Sequence, residues 1–412
     1  MNILILAENL EVNLTSSGLR SNKNILMYSK ISKVDVITTT HLSYFKKINS
    51  VNYEFFKIKS TKTDALLSKI PKSSAIQNLL WGVSFGMQNK IKAWEDKVLK
   101  ACKANKYEMV ISLGSGGSFI PAYAMQRVKK RIAVKHMMFV HDPYPFNQYP
   151  PPYQQKNSLP YQSVAKYFTK VLDSADVLSF PSLRLKEWMQ QYYSFIDNKY
   201  IIQPHIGLTI NELEYILPEQ GEESLPLYPR GLNIVHTGTL LGPRTPMFLL
   251  KALELLYKNY PESKSEVFLH IVGKMTKDWN AKELIRENVF VYPKRYSYLS
   301  SLNLQQNAQV LLLLEANAEV SPFMPGKLAD YLIAKKPILA LTPKSSETTR
   351  ILGEDYPLLT ENGDIERIYE KLLLLYEYYK NDTLQNLIPS LKSYKHVLPE
   401  NWHKSLNTIL NK

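Results

Sequence analysis

The stretch SPFMPGKLADYLIAKKPILA, residues 321–340, carries a Pro-Gly-Lys at the point where an amphipathic helix begins. A helix start leaves backbone N–H groups unpaired and bears a positive partial charge, so a glycine-containing turn there lets the chain approach a phosphate closely. Ahead of it, residues 308–314 read as a buried strand, and the loop between holds Glu315, Glu319 and Pro325. Gly326 and Lys327 open the helix, Leu328, Tyr331 and Leu332 recur at the spacing of one inward face, and Asp330 follows about one turn in. Lys335 and Lys336 close the helix, where its dipole favours cations, and Pro337 introduces the strand 338–341. Strand, helix, strand in this order is a βαβ unit. A diphosphate at the helix start and an ordinary crossover both fit the local pattern.

Similar units run outward from it. In the first half, residues 2–6, 33–38, 109–113, 137–140 and 177–180 read as buried strands. In the second, LNIVHTG, EVFLHIVGK, ENVFVYP, AQVLLLLEA and KKPILALTP repeat the pattern, with the helical GPRTPMFLLKALELLYKNY between the first two. Short apolar strands alternating with helices predict parallel sheets covered on both faces. The series breaks at LPEQGEESLPLYPRG, 217–231, which has three Pro, two Gly and no periodicity. The expectation is an α/β chain of two Rossmann-like doubly wound domains, 1–205 and 231–395, joined by a linker region 206–230. A C-terminal helix at about 396–412, with Trp402, Leu406 and Ile409 on one face, is placed to pack back on the first domain. In such sheets ligands bind beyond the C-terminal strand ends, here the cleft between the domains.

Composition supports a folded protein: 412 residues, 45% apolar, with five Trp, 27 Tyr and 14 Phe. The single cysteine, Cys102, excludes an internal disulfide framework and a cysteine-cluster zinc site, which fits a reducing, cytoplasmic setting. MNILILAENL reads as a first core strand, not a signal peptide, and no apolar run is long enough to span a bilayer. Of the net charge of +14, residues 1–200 carry 28 Lys and Arg against 13 Asp and Glu, and the remainder 23 against 24. Nearly all the basic excess therefore lies in the first half, which points to an anionic surface as a partner. Residues 66–106 mix Trp81, Phe85 and Trp94 with eight Lys, a composition suited to a helix lying on anionic lipid, or to two solvated helices with aromatics turned inward. No RNA-binding motif is present, and no nucleic-acid partner is expected.

The run PFMPGKLADYLIAKKPILA resembles the phosphate-and-ribose segment of retaining glycosyltransferase family 4, and more broadly of the GT-B glycosyltransferases. That resemblance implies a diphosphate at Gly326 and Lys327 and a ribose on Asp330. HTGTLLGPRTPMFLLKAL is similar to the turn whose two basic residues neutralise the donor diphosphate; Arg244 takes one position, and Thr239 stands where the other cation is expected, with Lys327 or Arg295 as substitutes. The family's paired glutamates also depart from type. The second falls on Asp330 and the first on Pro322, leaving Glu315 and Glu319 as off-register candidates for the donor sugar.

In the first half, FVHDPYP sets His141 and Asp142 at a strand end, where the resemblance implies catalytic contact with the donor sugar. Of two glycine-bearing turns, SSGLRSN and SLGSGGS, the first offers Gly18 to the diphosphate. The Pro-rich PYPFNQYPPPYQQ, 143–155, reads as a long loop at the cleft mouth. No Asp-x-Asp metal motif occurs, so the expectation is metal-independent chemistry with no cofactor beyond an NDP-sugar co-substrate. The acceptor is expected to be lipid-linked or a saccharide, in bacterial surface polysaccharide assembly at the inner face of the membrane. A nucleotide-sugar epimerase of the same fold and a noncatalytic sugar-nucleotide-binding protein are the alternatives.

Overall fold

The computed structural model describes residues 1–59, 73–115, 117–156, 158–218, 223 and 225–410. Parts of four sequence expectations therefore lie outside the described residues: the start of the Lys-rich segment, one position of SLGSGGS, most of QGEES in the linker, and the last two residues of the expected C-terminal helix. The side chains of Trp81, Phe85 and Ile409 lie outside them as well.

Strands β1 (Asn2–Ala7), β2 (Lys33–Thr38), β3 (Val51–Phe55), β4 (Met109–Leu113), β5 (Lys135–Phe139), β6 (Val177–Phe180) and β7 (Tyr200–Ile202) form one parallel sheet in the order β3-β2-β1-β4-β5-β6-β7. The later strands are β8 (Leu232–Thr237), β9 (Val267–Val272), β10 (Val289–Tyr292), β11 (Val310–Leu314), β12 (Val320–Ser321), β13 (Ile338–Leu341), β14 (Ser345–Ser346) and β15 (Leu359–Thr360). Six of them make a second parallel sheet, β10-β9-β8-β11-β13-β15, and β12 pairs with β14 beside it. Each sheet reverses its strand order once, between β1 and β4 and between β8 and β11. That reversal opens a crevice at the carboxyl ends, where ligands of doubly wound sheets bind.

Alternation along β1 shows why both faces are covered. Leu4 and Leu6 join Val110, Met138 and Leu178 in one core, whereas Ile3, Ile5 and Ala7 join Val34, Ile111 and Met137 in another. Helix Phe85–Ala104 seals the first of these with Trp94, which is fully buried against Phe56 at 4.9 Å between ring centroids. Trp94 is thus a core residue. Its neighbour on the preceding helix, Ser73–Trp81, leaves Ile76, Leu79 and Leu80 exposed.

The chain crosses between the domains twice. The first crossing leaves β7 and runs to β8; the second follows helix Leu391–His396 into helix Pro399–Leu410. That last helix lies on the first domain, with Trp402 and Leu406 buried in the core of Ile3 and Ile5 and the Trp402 ring edge-on to Tyr28 at 4.8 Å. The two crossings are tied to each other: Gly207 N–H donates to the Val397 carbonyl at 2.9 Å. Because Trp402 is fully buried, Trp402→Ala is expected to cost about 3–5 kcal/mol, read as a lower urea midpoint with an unchanged nucleotide-induced shift.

Candidate active site

The second domain brings three features to its β8/β11 crevice. Helix Gly326–Ala334 points its start at the cleft, Pro325 supplies no side-chain cap, and the Gly326 and Lys327 N–H groups have no partner among the described residues. A Cβ on Gly326 would meet nothing within 4 Å, so the space above the helix start is open. Lys327 turns back toward β8, where its Nζ lies 3.2 Å from His236 Nε2. On the far side of that ring, Nδ1 is 3.1 Å from the Leu312 carbonyl, which can only accept. Nδ1 therefore carries the proton and Nε2 offers its lone pair to the ammonium. A side chain on Gly238, at φ 110°, would come within 3.1 Å of Lys327 Nζ, which accounts for the glycine there. Burial, and then Arg244, push the Lys327 ammonium well below the usual lysine range, with Glu315 opposing.

Arg244 reaches across the cleft. Its Nε donates to the Tyr153 hydroxyl at 3.2 Å, and Tyr153 in turn packs edge-on to Phe323 at 5.8 Å. The Pro-rich segment of the first domain thus closes over the helix start of the second.

At the centre, His141 is buried with both ring nitrogens unpartnered, and burial, Arg20 and His205 hold its imidazole well below the usual range. Asp142 beside it has its carboxyl raised by burial and pulled down again by Arg20 and Arg244, one from each domain. Burial also lowers Arg20 to about 10 and His205 to about 3. The cleft accordingly sets Arg20 and Arg244 on either side of Asp142, with Lys327 beside Arg244.

Other expected residues have neighbours of their own. Glu315 is buried and accepts from Thr342 and Thr348 hydroxyls, both at 2.6 Å, and from Ser321. All its visible bonding holds the loop that leads to the helix. Glu319 is exposed. Asp330 is buried between the domains, where its Oδ1 accepts from Lys23 Nζ at 3.0 Å and from the Tyr298 hydroxyl at 2.6 Å. Gly18 sits in the first turn of helix Ser16–Ser29; its N–H is capped by Thr15 Oγ1 at 3.0 Å, and a Cβ there would meet the Glu11 carbonyl oxygen at 2.3 Å. Arg295 is exposed and donates to the Asn13 carbonyl at 2.9 Å.

Sequence reasoning passed over Arg20, Lys23, His236 and Glu8. Glu8 ends the β1 region, with Oε1 accepting from Ser118 Oγ at 2.8 Å and Oε2 buried without a partner. Burial raises its carboxyl to about 7, opposed by Ser118 and Lys90. A carboxyl raised on folding is harmless below its unfolded value and destabilises as pH climbs from 4.5 to about 7. Glu8→Gln is thus expected to melt higher than wild type at pH 8, by roughly 2–3 kcal/mol, and level with it at pH 4. An equal difference at both pH values would refute the raised carboxyl.

No family profile matches the sequence, and no curated protein matches it. Solved structures do. HepE from Anabaena with UDP and glucose superposes with a TM-score of 0.65 at 12% identity, covering 100% of this chain and 99% of that one. The UDP-forming trehalose-phosphate synthase of Burkholderia xenovorans with glucose-6-phosphate gives 0.64 at 11%, covering 100% of both. The E. coli trehalose-6-phosphate structure with UDP-2-fluoro glucose gives 0.62 at 11%, covering 100% and 99%. The chain has the GT-B fold. Its two sheets are the two GT-B halves, and the cleft described above is the GT-B interdomain cleft.

Proposed function

We propose that this chain is a glycosyltransferase that moves a hexose from an NDP-sugar to a saccharide or lipid-linked acceptor. The observation that carries the reading is the open helix start at Gly326, flanked by Lys327 and Arg244, at the carboxyl end of a GT-B crevice. UDP, glucose and sugar phosphate in the similar structures support it. Donors aimed at a diphosphate stabilise the charge that appears as the sugar leaves. In the transfer, the bond from the anomeric carbon to the diphosphate oxygen breaks, the acceptor hydroxyl oxygen bonds to that carbon, and its proton passes to the departing phosphate. Family resemblance at the PGKLADY segment favours retention of configuration. With Arg244, Lys327 and two helix amides facing the diphosphate, the reaction needs no divalent ion or other cofactor, and chelation is expected to leave the rate unchanged.

Site roles follow the same reading. His141 and Asp142 face the donor sugar, Gly18 stands by the donor diphosphate, Asp330 offers Oδ2 to the ribose, and Glu315 and Glu319 border the sugar. The proposed setting is the cytoplasmic face of a membrane in surface polysaccharide assembly. Among the described residues no helix is long and apolar enough to cross a membrane. The basic first domain, with Ile76, Leu79, Leu80 and Leu159 exposed, supplies a surface for anionic lipid.

The test is a melting screen with UDP, GDP, ADP and their sugar conjugates in EDTA, followed by assay of released nucleotide with each conjugate that shifts. One nucleotide at about 100 times its Kd is expected to stabilise by about 2.7 kcal/mol. No shift with any of them would overturn the donor assignment.

A further inference from the structure

Arg20, like Arg244, is a cleft cation with unused bonding capacity. A guanidinium presents five N–H donors. Among the described residues it has one hydrogen-bond acceptor, the Gly114 carbonyl, 3.4 Å from Nη2. Among the described residues no carboxylate pairs with it, and Asp142 acts on it only through space. The nearby imidazoles of His141 and His205 are held neutral, so they add no second positive charge beside it. Its side chain is half-buried, so part of the guanidinium faces the cleft with donors left for a ligand.

Local geometry shows where that ligand would lie. Ser17 and Arg20 are three residues apart on one face of helix Ser16–Ser29, and both turn to the end of β4. Ser17 Oγ lies 2.9 Å from Ser115 Oγ, and Arg20 bonds the adjacent Gly114. This face is the β1/β4 reversal of the first sheet, opposite the Gly326 helix start. In the second domain, Thr239 stands where the resemblance expects a second diphosphate cation.

We propose that Arg20 is a phosphate-binding residue, supplying from the first domain the cation that Thr239 does not supply from the second, with the Ser17 and Ser115 hydroxyls beside it. The proposal rests on the transferase reading of the cleft. A planar fork grips phosphoryl oxygens in pairs, which a lysine cannot do. Those oxygens belong either to the donor diphosphate or to a phosphate on the acceptor.

Calorimetric titration of wild type, Arg20→Gln and Arg20→Lys separates these sources. Each protein takes UDP, GDP or ADP, and then methyl phosphate once saturated with the nucleotide that binds; Arg244→Ala runs alongside. Arg20→Gln is expected to weaken one arm by about tenfold or more, and Arg20→Lys less, as for a charged hydrogen bond. Loss in the nucleotide arm assigns Arg20 to the donor. Loss in the methyl phosphate arm alone assigns it to a phosphorylated acceptor. Unchanged nucleotide affinity in both Arg20 variants, with methyl phosphate binding absent or unchanged, overturns the proposal, and weakening by Arg244→Ala in the same series leaves the donor reading standing. If wild type binds no nucleotide, the donor reading fails, and methyl phosphate titrated into the unliganded proteins still decides Arg20.

Discussion

Lys327→Met is expected to make the protein harder to unfold and weaker at holding a nucleotide. Its amine faces a neutral imidazole at 3.2 Å, has Arg244 as a like charge, and forms no ion pair among the described residues. Replacing such a cation by an apolar chain of similar length removes a desolvation cost, which should raise unfolding stability by about 1–3 kcal/mol. The same change removes a fixed charged donor from the bound diphosphate, a loss of about 1.5–3 kcal/mol in nucleotide affinity, or roughly tenfold to hundredfold. Urea melts and nucleotide titration read the two effects separately. A variant that is more stable and binds UDP, GDP or ADP as well as wild type would show that Lys327 has no part in the site.

Asp330→Ala carries the second large effect, and it falls on stability. Among the described residues the carboxylate is the one acid paired with buried Lys23, and it also takes the Tyr298 hydroxyl. Removing it strands a cation of one domain inside the face of the other, at a cost of about 3–5 kcal/mol. Lys23→Met together with Asp330→Leu should recover most of that loss. Nucleotide affinity then distinguishes the two tasks of Asp330. Affinity that stays low in the doubly substituted protein marks a ribose contact; affinity that returns with stability marks a carboxylate that serves only the domain contact.

Much of the fold was legible because the central strands are continuous apolar runs. VLLLL of β11 and ILAL of β13 are buried at every position, and residues 109–113 and 177–180 have the expected limits. The edge strands β3 and β7 escaped notice for the opposite reason: VNYEF and YII are half-exposed and short, so their pattern is weak. Lys335 shows a local rule bent. It takes φ 52° at the end of its helix, the left-handed conformation that glycine adopts most readily, and its ammonium lies 4.9 Å from the Tyr394 ring centroid.

Within the site, residues on one segment could be read and residues brought together by folding could not. Gly326 and Lys327 stand out as a glycine-lysine helix start, and Asp330 is singled out by the family resemblance. Nothing in the spacing joins Arg20 to Arg244, because the two meet only when the domains face each other. Nor does sequence show that the Asp330 and Glu315 carboxylates already have protein partners. That depends on Lys23 and Tyr298 for one and on three hydroxyls from later loops for the other.

The bond from Gly207 to Val397 bears on how the cleft can open. One connecting segment would act as a tether, free to twist as well as bend. Two segments stitched side by side make a strip, which bends across its width and resists torsion. The halves should therefore swing like a book on its spine, with Arg244 and Tyr153 parting at the fore-edge while Asp330 and Lys23, which donates to the Ile206 carbonyl beside Gly207, scarcely move. Distances between paired spin labels at the cleft mouth and beside Val397 would measure that difference, and equal spreads at both places would mean that the strip does not set the axis.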